Sequence, residues 1–150
     1  KDMDFFTFMA SSAAISSFFY HCARKGAEFK GDNPVKLFES LRPVGMDAEK
    51  AMFAATGGVN THKGLIFSLG IISAAAALCF VEKERTRLDI EELCGKVSEM
   101  TQGLCRRELD CIEKKELTHG EAVYLKYGAR GIRGEVEDGF PTVRFCSLPL

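Results

Sequence analysis

Residues 89–115 read DIEELCGKVSEMTQGLCRRELDCIEKK. Ile90, Leu93, Cys94, Val97, Met100, Leu104, Cys105 and Ile112 recur at helical spacing, with charge on the opposite face. That period predicts one amphipathic helix over Asp89–Lys115. Asp89 followed by Glu92 has the spacing of a capping box at its start. Upstream, Gly64–Val81 (GLIFSLGIISAAAALCFV) is apolar for 18 residues between Lys63 and Glu82. Its length admits a membrane span. Its Ala, Ser and Gly content and the lack of a lopsided basic loop argue instead for a helix packed in a protein core.

The flanking segments follow the same period. Phe5–Arg24 predicts a buried helix ending at Gly26. Pro34 suits the first turn of a short helix that Arg42-Pro43 stops. Asp47–Thr56 predicts a further helix, ended by Gly57-Gly58. Thr118-His119-Gly120-Glu121 is a second capping-box pattern, leading to a helix that ends near Tyr127-Gly128. A glycine-punctuated loop is expected after it. No alternating strand pattern of useful length and no internal repeat occurs. The expected fold class is all-α, a single domain of about six helices over residues 1–150.

Composition narrows the function classes. The chain has 150 residues, with 20 Lys+Arg against 21 Asp+Glu and a net charge of −1. A nucleic-acid binder would carry a basic excess. A hydrophobic fraction of 46% and a charged fraction of 27% suit a globular core and exclude a disordered chain. The six cysteines contain no C-x-x-C pair, and several fall on apolar helical faces. A reducing, cytoplasmic setting without structural disulfides is expected, as is no membrane association.

Three stretches hold the chemistry. In Thr56-Gly57-Gly58-Val59-Asn60-Thr61-His62-Lys63-Gly64, Thr61 is a candidate N-cap for the long apolar helix. That puts His62, Lys63 and Gly64 in its first turn, where a cation is disfavoured unless an anion is bound. Gly57 and Gly58 permit close approach of backbone to a ligand. The alternative is a tight interhelical turn with a solvated lysine. This is not the phosphate loop of nucleotide hydrolases, because His62 and Gly64 stand where that loop has Gly and Ser/Thr.

The second stretch, 128–140, places Arg130 and Arg133 among Glu135, Glu137 and Asp138. It reads first as a self-neutralising exposed loop. Alternatively, its arginines hold phosphate and its acids serve as a base or Mg²⁺ ligands. Asp2 and Asp4 read as helix N-terminal acids in preference to a metal pair. His21 and His119 read as structural.

The tract 52–64 (MFAATGGVNTHKG), followed by Ile66-Phe67-Ser68-Leu69-Gly70, closely resembles the signature of the triphosphoribosyl-dephospho-CoA synthases. Asp2-Met3-Asp4-Phe5, Arg42-Pro43 with Gly45 and Glu49, Thr118-His119-Gly120-Glu121, and residues 131–141 (GIRGEVEDGFP) resemble it too. The resemblance implies an all-helical, cytoplasmic pentosyltransferase of citrate lyase prosthetic-group synthesis. A sister branch serves malonate decarboxylase by the same reaction. The implied substrates are ATP and 3′-dephospho-CoA. The 5-triphosphoribosyl group moves to the 2′-hydroxyl, adenine leaves, and the product goes to the carrier-protein prosthetic-group transferase. Mg²⁺ is expected with ATP, and a homo-oligomer is compatible.

On that footing Gly57, Gly58, Asn60, Thr61, His62, Lys63, Gly64, Arg130 and Arg133 are the expected triphosphate cradle. Glu135, Glu137 and Asp4 are candidates for acid–base work, and Asp2 and Asp4 for holding Mg²⁺. Against the family pattern the chain begins inside a motif and ends before the C-terminal helices, so it is expected to be incomplete at both ends. The competing class is a non-catalytic helical module that binds a nucleotide.

Overall fold

In a computed structural model, residues 3–83, 87–110 and 117–147 are described. They form α1 (Phe5–Glu28), α2 (Pro34–Thr56), α3 (Lys63–Lys83), α4 (Ile90–Thr101), α5 (Leu104–Glu108), α6 (His119–Tyr127) and α7 (Gly131–Glu137), then a π-helical turn at Val143–Ser147. No strand occurs among these residues, so the fold is all-α.

The buried stripe of α1 is Ser11, Ile15, Cys22 and Gly26, spaced so that one face meets α2 and α3. On α2 the matching stripe is Leu37, Phe38, Leu41, Ala48 and Met52. Helix α3 is apolar around its circumference and buries Ile66, Ile71, Ala74, Ala75, Leu78 and Cys79. By length and composition it is also the one described helix that qualifies to cross a bilayer. Here it lies among α1, α2 and α4. Val97, Met100, Leu104, Val136 and Phe140 carry the same core across α4, α5 and α7.

Three expected boundaries move, the first two for a tertiary reason and the third at a left-handed glycine. Gly26 does not end α1. It is buried inside the helix, and a Cβ there would lie 2.1 Å from the Ala74 carbonyl oxygen, so its lack of a side chain allows α1 and α3 to touch. Arg42-Pro43 does not stop the second helix either. Residues expected to form two helices form one, with Pro43 inside it. Pro43 and Glu39 are both exposed residues, so water can take the place of the amide that Pro43 lacks. Burial of Leu41 on one side and Ala48 and Met52 on the other holds the helix through it.

The single helix expected over 89–115 breaks at Gly103, whose φ is 73°. The apolar period survives the break, because Leu104 and Cys105 remain buried. Residues 111–116 of that expected helix lie outside the described residues. Asp89 occupies the N-cap of α4 without a side-chain capping bond, so the predicted box does not form there. The box at Thr118 and Glu121 does: Glu121 N–H donates to Thr118 Oγ1, and Thr118 N–H to Glu121 Oε2 at 2.8 Å.

The expected glycine loop is mostly helix. Val136 is fully buried, Thr101 Oγ1 donates to its carbonyl at 3.0 Å, and Ser98 Oγ donates to the Glu137 carbonyl at 2.6 Å. Those contacts with α4 outweigh the poor helix propensity of Gly131 and Gly134. Gly139 then turns the chain at φ 71°, where a Cβ would lie 2.7 Å from the Cys94 carbonyl oxygen.

The Gly26 contact yields a direct test. Gly26→Ala should destabilise the fold by about 1–3 kcal/mol, because the clash is with backbone and the helices must separate. Gly95→Ala, an exposed site in α4 with nothing within 4 Å, should stabilise it by about 0.5–1 kcal/mol. Urea unfolding of both variants reads the two signs.

Candidate functional site

Helices α1, α2 and α3 enclose a cavity of about 460 Å³, with α5 and α7 at its edge. Phe18, Phe19 and Cys22 line it from α1, and Phe38, Leu41 and Val44 from α2. Ile66, Phe67 and Ile71 complete the apolar surface from α3. On α2, Arg42, Gly45 and Glu49 follow one another at three- and four-residue steps, so one helix face presents all three. Asn60, Lys63 and Gly64 enter from the start of α3, and Arg133 from α7. A Cβ at Gly45 or Gly64 would meet nothing within 4 Å, so open space lies against the backbone at both.

The polar groups of the cavity are arranged as ion pairs. Lys63 Nζ lies 3.0 Å from Glu49 Oε2, with both side chains partly in solvent. Arg133 Nε donates to Glu108 Oε2 at 2.7 Å, and Arg42 Nη2 donates to Glu108 Oε1. Glu108 thereby ties α2, α5 and α7 together. Three cations stand against two carboxylates on this lining, a net charge of +1. The more exposed Lys63–Glu49 pair contributes about 0–1 kcal/mol, so an incoming polyanion can displace Glu49 from the lysine.

The loop ahead of α3 is pinned to α1. Ser11 is fully buried, and its Oγ lies 2.6 Å from Thr61 Oγ1 and 2.8 Å from His62 Nδ1. The Phe8 ring meets the His62 ring edge-on at 5.1 Å between centroids. Thr61 was expected to cap α3, but its hydroxyl turns to Ser11. Asn60 Oδ1 instead accepts from the Lys63 N–H at 3.3 Å. Gly57 ends α2 at φ 64° and Gly58 follows at φ 92°. Neither lines the cavity, nor do Thr61 and His62.

The remaining expected residues sit apart from the cavity lining. Glu135 accepts from the Thr142 hydroxyl at 2.6 Å. Glu137 Oε2 accepts from the Cys105 N–H at 3.1 Å, holding the start of α5. Arg130 pairs with Asp138. Asp4 caps α1 by accepting from the Thr7 N–H and hydroxyl, both at 2.8 Å, and the first of these bonds leads in holding its carboxyl below the usual range. Asp2 lies outside the described residues. Among the described residues, no group of three or more His, Cys, Asp or Glu forms a metal cluster.

Of the expected cradle, the structure therefore brings Asn60, Lys63, Gly64 and Arg133 to one cavity. It adds Arg42, Glu49 and Glu108. Arg42 and Glu49 stood within a motif but carried no role. Glu108 had no signal in the sequence, since its partners lie on two other helices.

A family model described as ATP:dephospho-CoA triphosphoribosyl transferase matches residues 1–150. The chain belongs to that family. It is 42% identical over 157 residues to "Protein CitXG" of Leuconostoc mesenteroides subsp. cremoris, covering 100% of this chain and 32% of that protein. It is 42% identical over 152 residues to the probable 2-(5''-triphosphoribosyl)-3'-dephosphocoenzyme-A synthase of Malonomonas rubra, covering 99% and 47%. The synthase of Klebsiella pneumoniae is 39% identical over 149 residues, covering 99% and 49%. The chain thus spans about half the length, or less, of these relatives. No solved structure matches it.

The cysteines give a chemical readout of this packing. Burial, reinforced by the Glu137 carboxylate, pushes the Cys105 thiol up to about 12 from the ordinary 9.0. Burial likewise raises Cys22 and Cys94, whereas Cys146 is exposed. Iodoacetamide at pH 8 should label Cys146 and leave Cys22, Cys94 and Cys105 unlabelled until the protein unfolds, as read by peptide mass spectrometry. A raised folded pKa means that the Cys105 contribution to stability is complete below pH 9 and is lost as the pH climbs toward 12.

Proposed function

We propose that this chain is the substrate-binding part of a cytoplasmic transferase. The enzyme moves the 5-triphosphoribosyl group of ATP onto the 2′-hydroxyl of 3′-dephospho-CoA and releases adenine. The product is the precursor of the citrate lyase prosthetic group, handed on to the carrier-protein prosthetic-group transferase. Family membership supports the reaction class. The observation that carries the reading at the level of residues is the meeting of two distant motif tracts, 56–64 and 131–141, at one cavity with Arg42.

A volume of about 460 Å³ suits one nucleotide-sized ligand. Lys63, Arg42 and Arg133 would hold the triphosphate, and Asn60 would orient a ribose or phosphate oxygen. The aromatic surface of Phe18, Phe19 and Phe67 suits the flat face of a base. In the transfer, the 2′-hydroxyl oxygen attacks ribose C1′, the bond from C1′ to N9 of adenine breaks, and the leaving base takes up a proton from water as the hydroxyl gives one up. The triphosphate stays whole. The sugar passes through an oxocarbenium-like state that nearby negative charge favours.

Glu49 is the carboxylate we assign as base for the attacking hydroxyl. A triphosphate that draws Lys63 away frees Glu49 to accept the proton. Glu135 and Glu137, engaged with Thr142 and with the start of α5, are the second choice. Mg²⁺ on a nucleotide takes most of its ligands from phosphate and water, and with no metal cluster among the described residues it would arrive with the triphosphate. When bound it neutralises phosphate charge.

Three outcomes test the reading. Lys63→Ala should weaken ATP binding by about tenfold or more in calorimetry while leaving the fold intact. In a chain extended to the length of the relatives, ATP, Mg²⁺ and dephospho-CoA should yield free adenine. There Glu49→Gln should slow that release by about 10²–10⁴ with ATP binding largely kept. Chromatography showing ADP in place of adenine would overturn glycosyl transfer, and a larger loss in Glu135→Gln than in Glu49→Gln would move the base to α7.

A further inference from the structure

Glu108, at the end of α5, is the least exposed charged side chain of the cavity's ion pairs, at 19%. One of its carboxylate oxygens accepts from Arg42 of α2 and the other from Arg133 of α7. All three residues line the cavity. Two guanidiniums drawn to one spot repel each other, and a carboxylate between them offsets that cost. It also fixes which edge of each planar fork is taken. Every arginine has five N–H donors in a rigid fork, so a single contact to Glu108 leaves donors on each for a second acceptor.

We propose that Glu108 is a positioning residue for polyanion binding: by bridging Arg42 and Arg133 it holds the two guanidiniums as one clamp for neighbouring phosphoryl groups. The inference rests on the reading that this cavity takes the triphosphate. A carboxylate in an anion site is otherwise a liability, since it repels the ligand. Its presence here is accounted for by preorganisation. A pair of arginines already immobilised loses less side-chain freedom on binding than two that must be gathered from solvent.

The test turns on a sign. Removing a negative charge from an anion site strengthens anion binding if charge alone matters, and weakens it if the clamp collapses. Glutamine puts an NH₂ donor where one carboxylate oxygen stood, so Glu108→Gln turns a donor toward one of the two arginines and holds only the other in this geometry. Calorimetry on this chain with inorganic tripolyphosphate and with ATP should show binding about tenfold weaker in Glu108→Gln, at unchanged helical content. Combining Glu108→Gln with Arg42→Ala and Arg133→Ala should add no further loss beyond the arginine substitutions, because Glu108 acts through them.

Equal or tighter binding of tripolyphosphate by folded Glu108→Gln overturns the positioning role while leaving the cavity as the anion site. Failure of the unsubstituted chain to bind either probe overturns the triphosphate reading itself, and the clamp with it. Should Glu108→Gln not fold, Glu108→Asp keeps the charge and both oxygens on a shorter stem. It should bind tripolyphosphate more weakly than the unsubstituted chain, and unchanged affinity there rejects the proposal.

Discussion

The approach of α1 to α3 at Gly26 constrains everything else in this molecule. With no side chain at that position, the helix backbone rests against the Ala74 carbonyl. Fifteen residues earlier, Ser11 is tied to Thr61 and His62, so α1 is held against the start of α3 as well. The two attachments lie about 22 Å apart along the helix. Between them, Phe18, Phe19 and Cys22 face Ile66, Phe67 and Gly70 without closing the space, and that space is the cavity.

The cavity's charge is held in reserve. Each cation on the lining already has a carboxylate partner, which makes an otherwise repulsive cluster tolerable in the absence of ligand. The partners differ in kind. Glu49 pairs with an exposed lysine and can be released. Glu108 is gripped by two arginines and is mostly covered. One carboxylate is thus suited to chemistry and the other to geometry, a division set by burial and partner number.

The far side of the bundle serves as a brace. Glu137 and the carbonyl of Val136 bind the start of α5 and the side chain of Thr101, which sets α7 against α4. That places Arg133 toward Glu108 and the cavity. Arg130, three residues earlier on the chain, is turned to Asp138 instead. Two arginines that look equivalent in sequence are separated by their place on α7, Arg130 at its N-cap and Arg133 within its first turn.

The sequence by itself determined the all-α class, the apolar faces, the Gly57 terminus of α2, the Thr118–Glu121 cap and the motif tracts that carry the family. Those features are local: a period, a cap or a run of residues is written in neighbouring positions. Only the tertiary structure decided that α2 runs through Pro43 and that α7 is a helix. In each case burial against another helix competes with a local preference of a few kcal/mol or less. The site divides the same way. Lys63 and Arg133 were legible as cations in suggestive tracts, whereas Glu108 became visible only once α2, α5 and α7 met. Ion pairing acts through space, and a carboxylate's partners two and three helices away leave no trace in the residues beside it.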